Sequence, residues 1–211
     1  MVSDFDGTMT RFDFFEVARR YLPSAADHDY WQDYLDGKIS HFDALASIFA
    51  AIRTDYEGMD DVMARMELDP TLLDSIIRLE EAGWKIIVAS AGCGWYIKRL
   101  LKNVGLSLEV HANPGVFTPE NGLRLTLPTD SRYFSSDRGI DKEAIVRAAL
   151  ADDPNAAFAG DGRPDIEAAM HVSGNRLFAR GMLADHLRKE DRPFHLFENF
   201  KQIADTLLDM N

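Results

Sequence analysis

The chain has 211 residues, of which 46% are hydrophobic and 27% charged, and a formal net charge of -12 at pH 7. That length suits one good core, or a core plus a small accessory unit, and no apolar run approaches the ~18 residues of a membrane span. So acidic a balance argues against a nucleic acid partner, and a phosphorylated ligand would need local positive charge from a metal ion, a Lys or Arg, or helix N-termini. The N-terminus lacks a basic stretch followed by an apolar one. The lone Cys93 cannot close an intramolecular disulfide, so a cytoplasmic location is the expectation.

Asp4-Phe5-Asp6-Gly7-Thr8 stands almost at the start. In extended backbone, residues two apart project to the same side, so Asp4 and Asp6 can face one ligand while Gly7 permits a sharp exit that Thr8 or Thr10 could cap. An ordinary capped turn and a catalytic acidic pair both fit this fragment. From Phe12 to about Leu68 the pattern is helical and aromatic-rich, with breaks near Pro23-Ser24, Gly37 and Gly58. This predicts a helical insert over 12–68 in a core made of 1–11 and 69–211.

Asp69-Pro70 predicts a helix start, with Leu72, Leu73, Ile76, Ile77 and Leu79 as the apolar face up to Gly83. Next come a buried strand over 85–90, a helix from Trp95 to Asn103 ended by Gly105, a strand from Leu108 to His111, and a hairpin from Gly115 to Leu127 turning at Gly122. A helix from Asp141 to Leu150 leads to a strand from Ala156 to Ala159, a Gly160-Asp161-Gly162 turn and a helix opening at Pro164. Short strands at Arg176–Ala179 and Phe194–Phe197 and a helix at Phe200–Leu208 close the chain. Strands alternating with helices define an α/β fold, a Rossmann-like doubly wound parallel sheet whose sites collect at the C-terminal strand ends.

Asp4, Asp6, Ser90 and Asp161 all fall at such ends. Ser90-Ala91-Gly92 reads either as a phosphate cradle of hydroxyl and backbone amides or as a plain helix cap. Asp161 and Asp165, with Asp4, would suit Mg2+, a hard ion that takes oxygen ligands; alternatively, Asp165 merely offsets a helix dipole. Lys142 lies in the first turn of its helix, where the dipole disfavours a cation, which suggests a role beyond helix stability, although an exposed surface Lys also fits.

Taken in order, Asp4-Phe5-Asp6-Gly7-Thr8, Ser90, Lys142 and Gly160-Asp161-Gly162-Arg163-Pro164-Asp165 resemble the four motifs of haloacid-dehalogenase-superfamily phosphatases. The insert resembles the cap of the phosphoserine-phosphatase-like subclass. Ser90-Ala91-Gly92-Cys93 and the stretch from Gly160 to Ala169 are most similar to the methionine-salvage 2-hydroxy-3-keto-5-methylthiopentenyl-1-phosphate phosphatase branch. The resemblance implies a nucleophile at Asp4 that forms an aspartyl-phosphate, a general acid and base at Asp6, and a catalytic Lys142. It further implies phosphate contacts from Phe5, Ser90, Ala91, Gly92 and Lys142, and Mg2+ at Asp4, Asp6, Asp161 and Asp165, with Asp6 taking part through the Phe5-Asp6 backbone region. Two departures stand out: Ala91 where the family commonly has Gly, and only three residues before Asp4.

The implied substrate is a small phosphorylated metabolite, with phosphoserine or a phospho-amino-alcohol as the alternative, and neither nucleic acid nor membrane as a partner. A phosphoryl-ligand-binding regulatory protein on the same scaffold is the reading from another functional class. Cys93, with no His nearby in sequence, is expected to pack, and the six histidines show no metal-ligand spacing. Phe14, Phe15, Trp31, Phe42 and Phe49 are expected mostly in the insert's core, with one or two facing the crevice. Lys98, Arg132 and Arg163 are candidates for a second anionic group.

Overall fold

A computed structural model describes residues 1–22 and 28–210; the expected break at Pro23-Ser24 lies outside the described residues. In chain order the strands are β1 (Val2–Ser3), β2 (Ile87–Cys93), β3 (Glu109–Asn113), β4 (Gly115–Thr118), β5 (Gly122–Leu125), β6 (Phe134–Ser135), β7 (Gly139–Ile140), β8 (Phe158–Gly160), β9 (Leu177–Ala179) and β10 (His195–Leu196). The helices are α1 (Phe14–Tyr21), α2 (Tyr30–Leu35), α3 (His41–Ala50), α4 (Tyr56–Ala64), α5 (Leu72–Glu81), α6 (Gly94–Asn103), α7 (Lys142–Asp152), α8 (Ile166–Ala169), α9 (Gly181–Lys189) and α10 (Phe200–Asp209).

Six strands form one parallel sheet in the order β10-β9-β8-β1-β2-β3. Its central strands carry apolar residues on both faces, as a sheet covered by helices on each side requires. One layer joins Phe5, Met9, Ile76, Tyr96, Phe178 and Ile203 to Phe14 and Phe49 of the insert. The other gathers Val2, Ala89, Ile145, Phe158 and Leu183 beneath α7 and α9. The fold is the expected Rossmann-like α/β architecture.

β1 spans two residues yet occupies the middle of the sheet. Main-chain bonds beyond its ends compensate: Val2 N donates to Ala157 O at 2.8 Å, Asp4 N to Ala159 O at 2.9 Å, and Ile87 N to Met1 O at 2.9 Å. The first carboxylate is thereby tied to the register of β8.

Helices α1 to α4 lie between β1 and α5, and the two ends of this stretch meet at a bridge between Thr10 and Leu68. Gly58 does not break the insert. It sits in the first turn of α4, where Asp55 caps by accepting from Gly58 N at 2.8 Å. Nor does Asp69 cap α5: the helix starts at Leu72, and the Asp69 carboxylate accepts from Thr71 N at 2.8 Å and from Phe200 N at 2.6 Å, joining the starts of α5 and α10. The apolar face of α5 is also narrower than expected, with Leu72, Ile76 and Leu79 buried but Leu73 and Ile77 exposed. The β4–β5 hairpin forms as the sequence predicts, with Gly122 at φ +68° where its turn ends. The β6–β7 hairpin and α9 are elements the sequence reading did not anticipate. No helix among the described residues is long and apolar enough to cross a membrane.

Candidate active site

Asp4 leaves β1 almost fully buried, and its Oδ1 lies 2.7 Å from Lys142 Nζ. The same ammonium lies 2.7 Å from Asp165 Oδ1. Lys142 is the first residue of α7, whose cap Asp141 accepts from Ala144 N at 2.9 Å, and only 3% of Lys142 is exposed. A buried cation at a helix N-terminus is unfavourable for the helix, and the two carboxylates account for its presence. Asp165 in turn accepts through Oδ2 from Asp161 N at 3.1 Å and Gly162 N at 2.9 Å. One carboxylate thus shapes the turn after β8 and fixes the lysine, so Asp165 does more than offset a dipole.

Asp4, Asp161 and Asp165 each place one oxygen within 4.8 Å of the others. Burial, then Asp165, pushes the Asp4 carboxyl well above the usual carboxylate range, against the pull of Lys142. The same two causes raise Asp161 to about 7. For Lys142, burial opposes the charged form, but Asp165 and Asp4 overcome it and the ammonium pKa is raised. Three carboxylates facing one ammonium leave uncompensated negative charge, and the donors are all oxygen. This set fits a hard divalent cation such as Mg2+.

The loop after Asp6 is held close to this cluster. Gly7, at φ +70°, has room for no side chain, because a Cβ there would lie 2.3 Å from Asp161 Oδ2. Thr8 Oγ1 donates to Asp161 Oδ1 at 3.2 Å. Arg180, at the end of β9, donates to Gly7 O at 2.5 Å and Thr10 O at 2.6 Å, pinning the loop from the far side.

Asp6 faces another way. Its Oδ2 accepts from Tyr96 OH at 2.8 Å and Ser90 Oγ at 3.3 Å, and its Oδ1 accepts from Phe14 N at 3.1 Å. Burial raises its pKa, while the bonds from Phe14 and Tyr96 oppose the shift. With both oxygens so engaged, the Asp6 carboxylate stands apart from the three-carboxylate group, and the expected part of Asp6 in holding Mg2+, through the Phe5-Asp6 main chain, does not involve these oxygens. Tyr96 is fully buried and stacked on Phe14, ring centroids 4.3 Å apart and 6° between planes.

Ser90 is not a helix cap, because β2 continues to Cys93 and Cys93 itself caps α6, accepting from Trp95 N at 3.4 Å. The pairing of β2 with β3 shifts register between Ala89 and Cys93, an irregularity of the kind that re-aims a strand end. Within it Ser90 Oγ accepts from Gly92 N at 2.9 Å, and the buried Asn113 donates to Ala91 O at 2.7 Å. A Cβ at Gly92 would lie 2.0 Å from Tyr96 OH and 2.7 Å from Asp6 Oδ2, so this position admits only glycine without movement. Cys93 packs as expected, and burial pushes its thiol up to about 12.

These groups open into a cavity of about 530 Å³. Asp4, Asp6, Ser90, Ala91, Gly92, Lys142 and Asp161 line its floor, and residues of the insert, Phe15, Trp31, Tyr34, His41 and Phe49 among them, line its roof. Phe15, Trp31 and Phe49 therefore reach the cavity, whereas Phe14 and Phe42 are buried elsewhere. Phe5 does not line it; its ring packs in the core 6.5 Å from that of Tyr96. Arg163 lies on the exposed rim, while Lys98 is not among the lining residues and Arg132 lies over the Tyr133 ring at 4.5 Å. The sequence reading missed Tyr96, Asn113, Arg180 and His41. Tyr96, Asn113 and Arg180 hold partners distant in the chain, for which local pattern carries no signal, and the place of the His41 ring at the cavity is visible only in the fold.

Residues 1–170 match the haloacid dehalogenase-like hydrolase family, and the chain belongs to it. It is 26% identical over 215 residues to the Pdp3-interacting factor 1 of Schizosaccharomyces pombe, covering 95% of this chain and 91% of that protein. A 2-hydroxy-3-keto-5-methylthiopentenyl-1-phosphate phosphatase of Microcystis aeruginosa is 27% identical over 214 residues, covering 97% of this chain and 95% of that protein. A substrate-bound phosphoserine phosphatase shares the fold, with a TM-score of 0.65 at 15% identity over 97% of this chain and 95% of that one. Family and fold together make this a haloacid dehalogenase-like hydrolase with the fold of the phosphoserine phosphatases.

Proposed function

We propose that this protein is a Mg2+-dependent phosphomonoesterase that acts on a small phosphorylated metabolite through an aspartyl-phosphate at Asp4. The observation that carries the reading is the buried Asp4–Lys142–Asp165 chain beside a separately held Asp6. A carboxylate held by a neighbouring ammonium is an oriented nucleophile, and a second carboxyl with a raised pKa can hold a proton to give away.

In the first half-reaction an Asp4 oxygen attacks phosphorus, the ester P–O bond breaks, and Asp6 delivers its proton to the departing alkoxide. In the second, Asp6 takes a proton from water as that water attacks phosphorus and frees Asp4. Lys142, Ser90 and the amides of Ala91 and Gly92 would hold the phosphoryl oxygens, with the main chain at Phe5 beside them. Asp4, Asp161 and Asp165 would hold Mg2+, which when bound screens nucleophile and phosphate from each other. The helical insert would act as a cap that excludes water and admits only compact leaving groups.

A phosphorylated keto-sugar or methionine-salvage intermediate is the first choice of substrate, supported by the Microcystis relative. Phosphoserine or a phospho-amino-alcohol is the second, because Asp13 and Glu16 line the cavity and could meet an ammonium. A cytoplasmic setting belongs to the same proposal. The regulatory-protein reading is disfavoured because Asp4, Asp6, Lys142 and Asp161 are all present.

The test is a hydrolysis screen over small phosphate esters with Mg2+ and with excess chelator. Mg2+-dependent release of phosphate is expected, with Ca2+ inhibitory because its looser shell misaligns attack. Full activity in chelator would overturn the metal assignment, and no hydrolysis of any ester would overturn the phosphatase.

A further inference from the structure

His41 is a buried titratable group of the cavity roof that the reaction above leaves unused. It opens α3, is 4% exposed and lines the cavity, and its Nδ1 has no hydrogen-bond partner among the described residues. Trp31 and Tyr34 fix its ring by edge contacts, at centroid distances of 5.7 and 5.2 Å and interplanar angles of 72° and 76°. Its backbone N–H donates to Asp137 Oδ1 at 3.4 Å and that of Phe42 to Asp137 O at 2.8 Å, anchoring the start of α3 to the core beside the floor.

Three features keep this imidazole uncharged: burial, the nearby Lys142 and Arg138, and its place at a helix N-terminus, where a cation is unfavourable. Burial first, then Lys142, lowers its pKa to about 4, with Asp137 opposing only in part. A neutral imidazole offers one donor and one acceptor, which suits a hydroxyl or carbonyl and gives a carboxylate no countercharge. The remaining charges agree. Asp13 and Glu16, which could meet an ammonium, would repel a carboxylate; Lys142 is bonded to Asp4 and Asp165 at the phosphoryl end of the cavity, and Arg163 is exposed on the rim.

We propose that His41 is a specificity-determining residue whose ring exchanges a hydrogen bond with an uncharged hydroxyl or carbonyl of the substrate's leaving group. The site thereby selects phosphate monoesters of hydroxy-ketones over carboxylate-bearing esters such as phosphoserine. This rests on the phosphatase reading of the same cavity, but it concerns binding and is tested by binding.

The experiment uses the full chain with Asp4→Asn, which removes turnover, and Mg2+. Calorimetry measures dissociation constants for dihydroxyacetone phosphate, L-phosphoserine and inorganic phosphate, with His41 intact, with His41→Leu and with His41→Asn. With His41 intact, dihydroxyacetone phosphate should bind more tightly than phosphoserine. His41→Leu should weaken dihydroxyacetone phosphate about five- to tenfold, the loss of one hydrogen bond to an uncharged group, and inorganic phosphate less than twofold. His41→Asn, which keeps a donor and an acceptor, should recover part of the loss and decides the matter if the leucine variant does not fold. Tighter binding of phosphoserine with His41 intact, or equal weakening of all three ligands in either folded variant, overturns the proposal. Failure of the wild-type protein to hydrolyse any ester would instead sink the phosphatase reading and leave these affinities to judge His41 alone.

Discussion

On the cavity floor, charged side chains from the end of β1, the start of α7 and the turn after β8 hold one another through bonds of 2.7 Å, and Asp165 is fixed again by main-chain amides. On its roof, rings from α1 to α3 meet mostly by packing: Phe15 on Trp31 at 4.7 Å, and Trp31 and Tyr34 on His41. Floor groups are set by geometry and charge that any phosphate ester would meet alike. Roof groups present mainly aromatic shape, with the neutral His41 ring among them, so on the proposed function they can change with the leaving group while the chemistry stays. The proposed function thus assigns reaction and selectivity to different interactions, and perturbing one should leave the other recognisable.

The largest effect should come from the floor. On the proposed mechanism Asp6→Asn removes the proton donor and acceptor of both half-reactions, and steady-state assays should show a loss of ~100 to 10,000-fold in turnover. A loss confined to one ester would contradict a floor indifferent to substrate. Lys142→Met leaves Asp4 and Asp165 buried without their ammonium, and unfolding by denaturant without metal should show a destabilisation of ~3–5 kcal/mol, the usual range for breaking a buried ion pair.

Metal and pH test the floor's charge excess directly. Asp161 is raised to about 7 in the folded chain from an ordinary value of 3.8, so the metal-free folded state binds more protons than the unfolded one between those values. Stability should therefore fall as pH rises from about 4 to about 7, and Mg2+ should restore it by taking the proton's place. Thermal melts across that range with and without Mg2+ would show it; a metal-free protein that gains stability over the same range would contradict the charge excess.

The smallest effect concerns Tyr96, where the two regions meet, since its hydroxyl bonds Asp6 and its ring stacks on Phe14 of α1. Tyr96→Phe keeps the stacking and removes one hydrogen bond, of net value ~1 kcal/mol. Esters of poor leaving groups should slow several-fold, because they need the Asp6 proton, while the initial burst on an aryl phosphate should hardly change. Equal slowing of both in rapid-mixing experiments would deny Tyr96 its hold on the acid.

Much of the floor was legible because its residues lie in chain order at or near the ends of strands and the start of a helix. Asp4, Ser90, Lys142 and Asp161 needed only the strand and helix periodicities around them to be drawn to one edge. The roles that depend on partners far away in the chain were not legible. Asp69 before Pro70 carries every local mark of a helix cap, yet a bond to Phe200 N, 131 residues on, claims its carboxylate. The direction of the Asp6 carboxylate was likewise hidden, because the bond that turns it comes from Tyr96, 90 residues later. Tyr96 sits at a position that helical periodicity assigns to the core, and it is in the core. Its function lies in one hydroxyl that periodicity does not weigh.

The covalent intermediate is the most direct test of the central claim. Wild-type protein mixed with Mg2+ and a rapidly cleaved aryl phosphate, quenched in acid within milliseconds and digested, should yield the peptide containing Asp4 one phosphoryl group heavier, and Asp4→Asn should yield none. A phosphoryl group on any other residue, or turnover by the wild-type protein with Asp4 never modified, would contradict it.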